Sequence, residues 1–170
     1  MPTGLKTTSS PIAVSFSLQE SGPGVFSQGR IDLQLNPLDQ EVFVVTAINL
    51  DPAAPDAIAG SNTSVFASLT TTSQTAIVNL STVSCLATAV MDIRALGFVD
   101  GGVGFTRTSS DTPDSNVEYI GIIATNDFFV QIEGTNNAAG KIVTGRLWGY
   151  RAKASASIYA ALVQSEVLSS

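Results

Sequence analysis

The chain has 170 residues, of which 44% are hydrophobic and only 13% charged, and a net charge of −6. That length suits one domain with a real core, and that charge excludes wrapping nucleic acid through a broadly basic surface. With no histidine and a single cysteine, the chain has no Ser-His-Asp or Cys-His catalysis, few routes to a transition-metal site and no internal disulfide.

Residues 1–10 are small and polar, carry one basic group, Lys6, and read as a flexible arm before a single domain over residues 11–170. They hold no apolar run of the kind a secretion signal needs, and no later segment approaches the ~18 apolar residues of a membrane-spanning helix. Strict alternation then begins. Ile12, Val14, Phe16 and Leu18 face one way and Ala13, Ser15 and Ser17 the other, the period of a half-buried strand. Gly22-Pro23-Gly24 breaks it. A second strand has Ile31, Leu33 and Leu35 inward and Arg30, Asp32 and Gln34 outward, and Asn36-Pro37 closes it. Glu41 to Ile48 is apolar on both faces and predicts a central strand covered on both sides.

Leu50 to Thr63 reads as a long connection, and short strands are expected at Ser64–Thr70 and Gln74–Leu80. Cys85, in the run Val83–Ala87, reads as a buried structural thiol. Val83 to Val99 has the composition of a short helix but also the alternation of a strand, and the surrounding β pattern favours the strand. Gly101, Gly102 and Gly104 suggest a bend, and Thr108 to Asn116 a polar loop. Val117–Ala124 is strand-like, and Asn126-Asp127 signals a turn. Phe128, Val130 and Ile132 alternate with Phe129, Gln131 and Glu133. Lys141–Tyr150 reads as another strand, and Ala154–Leu168 is open between strand and helix. About eight to ten strands with regular turn signals predict an all-β fold, a single-domain antiparallel β-sandwich or jelly roll.

The chemistry is mostly one of absence. There is no G-x-S-x-G elbow, no phosphate loop and no C-x-x-C pair, so the expectation is a non-enzymatic protein without cofactor or metal. Carboxylates on strands (Asp32, Glu41, Asp92, Glu118 and Glu133) keep a jelly-roll hydrolase with two acids as a third reading. Ser109, Ser110, Asp111, Asp114 and Asn116 offer calcium-type oxygens without the spacing of a calcium loop, and a turn explains them better.

The segment from Lys141 to Lys153 is the most informative. It holds Lys141, Arg146, Arg151 and Lys153 with no acid among them, and it interleaves Trp148 and Tyr150 on the face of Arg146. Trp, Tyr and Arg dominate subunit interfaces, and interface cores avoid charge, as this chain does. Phe129, apolar on an otherwise polar face, suggests a covered outer surface. Phe129, Arg146, Trp148, Tyr150, Arg151 and Lys153 are therefore the candidate assembly interface. The second reading is a carbohydrate- or ligand-binding sandwich that stacks its ligand on Trp148 and Tyr150.

In style the chain resembles the single jelly-roll coat proteins of icosahedral viruses, of the phage or archaeal-virus type. The likeness lies in the short polar arm, the Ser/Thr/Asn/Gly-rich connections, the few charges and the segment Gly140–Arg151 running into an apolar C-terminus. The resemblance implies a self-assembling capsid or virion-surface subunit, made in the host cytoplasm and built into trimeric or hexameric capsomers, alone or with a second coat protein. Leu50–Thr63 and Thr108–Asn116 would then be contact loops. Coat proteins that hold genome directly often carry an Arg/Lys-rich arm; residues 1–10 have only Lys6, so direct nucleic-acid binding is not expected.

Overall fold

The computed structural model describes residues 3–97, 105–110 (backbone only) and 118–168. Among them run ten strands: β1 (Leu5–Thr7), β2 (Ile12–Gln19), β3 (Ser27–Asp32), β4 (Glu41–Pro52), β5 (Thr63–Thr70), β6 (Cys85–Arg94), β7 (Phe105–Ser110), β8 (Gly121–Ile123), β9 (Asp127–Thr135) and β10 (Ile142–Ala154). One helix, α1 (Ala156–Leu168), follows.

The pairing is that of one long antiparallel hairpin rolled upon itself. β2 pairs with β10, β3 with β9, β4 with β8 and β5 with β6. Rolling brings β10 beside β4 and β9 beside β5, which makes two sheets, β2-β10-β4-β8 and β3-β9-β5-β6. This is a jelly roll. β1 continues the β2 edge along β10, and β7 is added outside β6.

The alternation read in the sequence sets what lies between the sheets. Phe16 from β2, Phe43 and Val45 from β4, and Val143 and Leu147 from β10 meet Val65, Ala67 and Leu69 from β5 and Phe128, Val130 and Ile132 from β9. The first part of β4, Val42–Val45, is covered on both sides, as its apolar run predicts, whereas Thr46, Asn49 and Asp51 further on are exposed. Val42 and Val44 point away from this core into a second cluster, where Leu5, Ala152 and Ala154 pack with Ile158, Tyr159, Leu162 and Val163 of α1. The spacing of those four helical residues puts them on one face. Glu166, buried near the end of α1, accepts hydrogen bonds from the backbone N–H groups of Ala124 (2.7 Å) and Thr125 (3.0 Å) and ties the helix to the end of β8.

Several expectations are corrected. Leu5–Thr7, inside the segment read as an arm, is an edge strand on β10. Leu33 and Leu35 are buried, but β3 ends at Asp32. Residues 51–52 of the long connection belong to β4, and of the stretch Val117–Ala124 the described part, from residue 118, forms a strand only over Gly121–Ile123. Val83–Val99 contains a strand, Cys85–Arg94, and Ala154–Leu168 a helix. Cys85 is half-buried. Thr108–Ser110 closes β7 instead of opening a loop, while Gly101, Gly102, Gly104 and 111–116 lie outside the described residues.

Gln74–Leu80 is not a strand. Residues 71–84 form a loop that crosses the outer face of β5 and β9 and covers polar groups there. Gln131, fully buried on that face, accepts from Ser68 Oγ (2.7 Å) and donates to Thr70 Oγ1 (2.8 Å) and Gln28 Oε1 (2.9 Å). The loop completes the network, as Gln74 donates its backbone N–H to Gln28 Oε1 and its side-chain amide to Ser84 Oγ. Buried polar groups tolerate burial only when satisfied in this way. Gln131→Leu is expected to cost about 2 kcal/mol by orphaning the buried Ser68 hydroxyl, and adding Ser68→Ala should recover part of that in urea unfolding.

Candidate functional site

The outer face of the first sheet is divided by a bulge in β4. Trp148 of β10 pairs with Ala47 and Gly149 with Val45, so Thr46 is an extra residue. Its hydroxyl donates to the Trp148 carbonyl at 3.2 Å. An extra residue reverses the in-out parity of everything after it. Hence Phe43 and Val45 face the core before the bulge and Ile48 and Leu50 after it, which turns Ala47, Asn49 and Asp51 outward.

On one side of the bulge, α1 covers the outer face. On the other, three cross-strand rows lie outward on β2, β10 and β4: Ala13–Trp148–Ala47, Ser15–Arg146–Asn49 and Ser17–Thr144–Asp51. Ser15, Ser17, Asn49, Asp51, Thr144 and Arg146 are exposed, and Trp148 is half-exposed. The Arg146 guanidinium carbon sits 6.0 Å from the centre of the Trp148 ring, and its Nε donates to Ser15 Oγ at 3.1 Å. Beside it is a shallow depression of about 310 Å³, lined by Ser15, Asn49, Asp51, Thr144, Arg146 and Trp148. The result is a flat surface with one aromatic ring, one cation and one anion.

The six residues singled out in the sequence do not converge. Arg146 and Trp148 are adjacent on this open face. Tyr150 has the same parity, but it packs in the cluster beneath α1, so the two rings do not form one stacking platform. Arg151 points the other way and works within the chain. Its guanidinium donates to the carbonyls of Leu33 (2.9 Å) and Gln34 (3.1 Å), with Glu41 at 3.6 Å. Lys153 is exposed at the end of the sandwich, in register with Lys6 and Glu41. Phe129 is half-buried on the outer face of the other sheet, in register with Arg30 and Thr70.

The chain matches no protein-family model and no curated protein.

Asn49 and Asp51 are the site residues that sequence reading passed over. In the sequence Asp51 reads as part of a connection, and only the bulge brings both to the face of Arg146. Three of the five acids named for hydrolysis bond to nearby groups. Asp32 accepts from the Gln34 N–H, Glu41 accepts from the Asn36 N–H, and Asp92, buried on the outer face of β6, pairs with Arg94. Glu118 is exposed, and Glu133 is half-buried on β9. The described residues contain no cluster of three or more metal-ligating side chains; Asp111, Asp114 and Asn116 fall outside them. No helix among the described residues is long and apolar enough to cross a membrane.

At the far end of the open face, side chains fasten the connections. The Glu20 carboxylate accepts from the N–H groups of Gly134 (3.1 Å) and Lys141 (3.0 Å), joining β2 to the β9–β10 turn. Asp56 accepts from Lys141 Nζ (2.7 Å) and from the Ala138 N–H (2.8 Å), so the β4–β5 loop is held against that turn. The hydrogen bond from Lys141, then that from Ala138, holds the Asp56 carboxyl below its ordinary value of 3.8. A carboxyl depressed in the folded state stabilises fully above its unfolded value and loses that contribution as pH falls through its folded value. Asp56→Asn should therefore lower the melting temperature at neutral pH. The difference from the parent should shrink as pH drops below about 4, read from melting curves between pH 7 and pH 2.

Proposed function

We propose that the chain is a self-assembling structural protein, a capsid or virion-surface subunit. What carries the reading is the open half of the first sheet, a low-charge face that presents Trp148 and Arg146 beside the helix-covered half. Jelly rolls build viral shells but also lectin domains, so the fold alone does not choose between them. Three features favour assembly. Tyr150 lies beneath α1, which removes the two-ring platform of the carbohydrate reading. Charged residues are only 13% of the chain, about half the usual share for a soluble domain, as suits a surface buried against neighbours. Among the described residues, side-chain hydrogen bonds tie a connection at each end of the sandwich, Lys141 to Asp56 at one and Arg151 to Leu33 at the other, and so brace the sheet that presents this face.

In this account the chain needs neither cofactor nor metal, and its principal partner is itself. Electron micrographs of the purified chain are expected to show closed particles or ring-shaped capsomers. Fields of separate single domains at every protein concentration would overturn the proposal.

A further inference from the structure

We infer that the open face of β2, β10 and β4 docks against the same face of a second copy about a two-fold axis, with Arg146 of each copy opposite Asp51 of the other. This rests on the assembly reading above and adds which surface and which contact carry it.

The charges point to the contact. Arg30, Arg94, Lys141 and Arg151 each meet an acid of their own chain: Asp127, Asp92, Asp56 and Glu41. Arg146 instead reaches Ser15 and the Trp148 ring. Asp51, one row and one strand away, is exposed and faces outward with it. Among the described residues of this face they are the cation and the anion, so the face is complementary to itself. A two-fold contact uses one patch twice: if residue i meets j, then j meets i. An axis in the plane between two such faces that sets Arg146 opposite Asp51 also sets Asp51 opposite Arg146, giving two ion pairs from one arrangement.

The relief fits this as well. Trp148 stands between Ala13 and Ala47, and the other two rows are built around the short side chains of Ser15, Ser17 and Thr144. Within these three rows the Trp148 ring and the Arg146 arm are the tallest side chains. Sheets pack face to face at about 10 Å when their side chains are modest. Trp and Arg are the residues that most often anchor such contacts. A strand of nucleic acid suits the face poorly, since Asp51 repels phosphate and the chain carries −6 overall.

The test is a charge exchange between copies, read by light scattering on the full chain. Arg146→Asp and Asp51→Arg are made separately, and melting curves confirm that these exposed changes leave the fold intact. Each variant alone places like charges across both contacts, and its self-association should weaken about 100-fold. Mixing the two variants in equal amounts turns every contact back into an opposite-charge pair, so association should return as a one-to-one species. Pairing within a chain cannot produce that recovery. If the parent assembles while the single variants assemble equally well, or while the mixture stays apart, this contact is wrong and the assembly reading stands. If the parent never associates, both are wrong.

Discussion

Replacing Gly149 by alanine is expected to destabilise the domain by about 3 kcal/mol or more, a fall of about 10 °C in melting temperature for a chain of this size. Gly149 lies in β10 directly opposite the bulge in β4, where the two backbones draw together. A Cβ built there would stand 2.2 Å from the Val44 carbonyl oxygen and 2.4 Å from Cε1 of Phe43. The first atom is backbone in the middle of a sheet, and the second is the ring of a fully buried side chain. Neither can move aside without opening the β4–β10 pairing that joins the two halves of the rolled hairpin. Glycine inside a strand marks such close approaches. Gly97→Ala is the control: among the described residues nothing lies within 4 Å of its Cβ position, and the variant should melt with the parent.

Phe128→Ala should cost about 3–5 kcal/mol, the range for deleting a large buried aromatic. Phe128 is fully buried on the inner face of β9, and its ring meets Phe16 of β2 edge-on, with centroids 5.7 Å apart and planes at 72°. This contact spans the two sheets, so its removal leaves a cavity that neither sheet can close alone. Urea unfolding should show a lower midpoint with an unchanged slope, the sign of lost packing without a change in the surface exposed. Phe128→Leu, which keeps most of the volume, should lose less, about 1–2 kcal/mol.

Much of the fold was legible because it rests on period-two burial. The alternation of Ile12 to Leu18 and of Phe128 to Ile132 places β2 and β9 correctly, and the run from Val42 to Val45 announces a strand covered on both faces. What failed to show depends on contacts far apart in the chain. Residues 74–80 carry a strand-like alternation of Ala76, Val78 and Leu80. They lie in a loop whose start is tied down: the Gln74 N–H donates to Gln28 and the Thr72 carbonyl accepts from Thr70, the two residues to which Gln131 donates. No local pattern marks Thr46 as an extra residue, so the turn of Asn49 and Asp51 to the open face was not readable.

The candidate surface divides in the same way. Arg146 and Trp148 follow from the parity of β10 alone. Tyr150 shares that parity but is claimed by α1, whose helical state the sequence left open. Arg151 looked like a free interface cation, yet it bonds the carbonyls of Leu33 and Gln34, more than a hundred positions earlier in the chain. Basic residues on a strand can be sorted into interface and support only when the partner loop is in place.

The most direct measurement is the mass of the full chain in solution, by light scattering after size exclusion, across protein concentration and salt. The account predicts a mass that is a multiple of 17.6 kDa, reaching capsomer or particle size as concentration rises. A mass that stays at 17.6 kDa at the highest concentration and at every salt would contradict it.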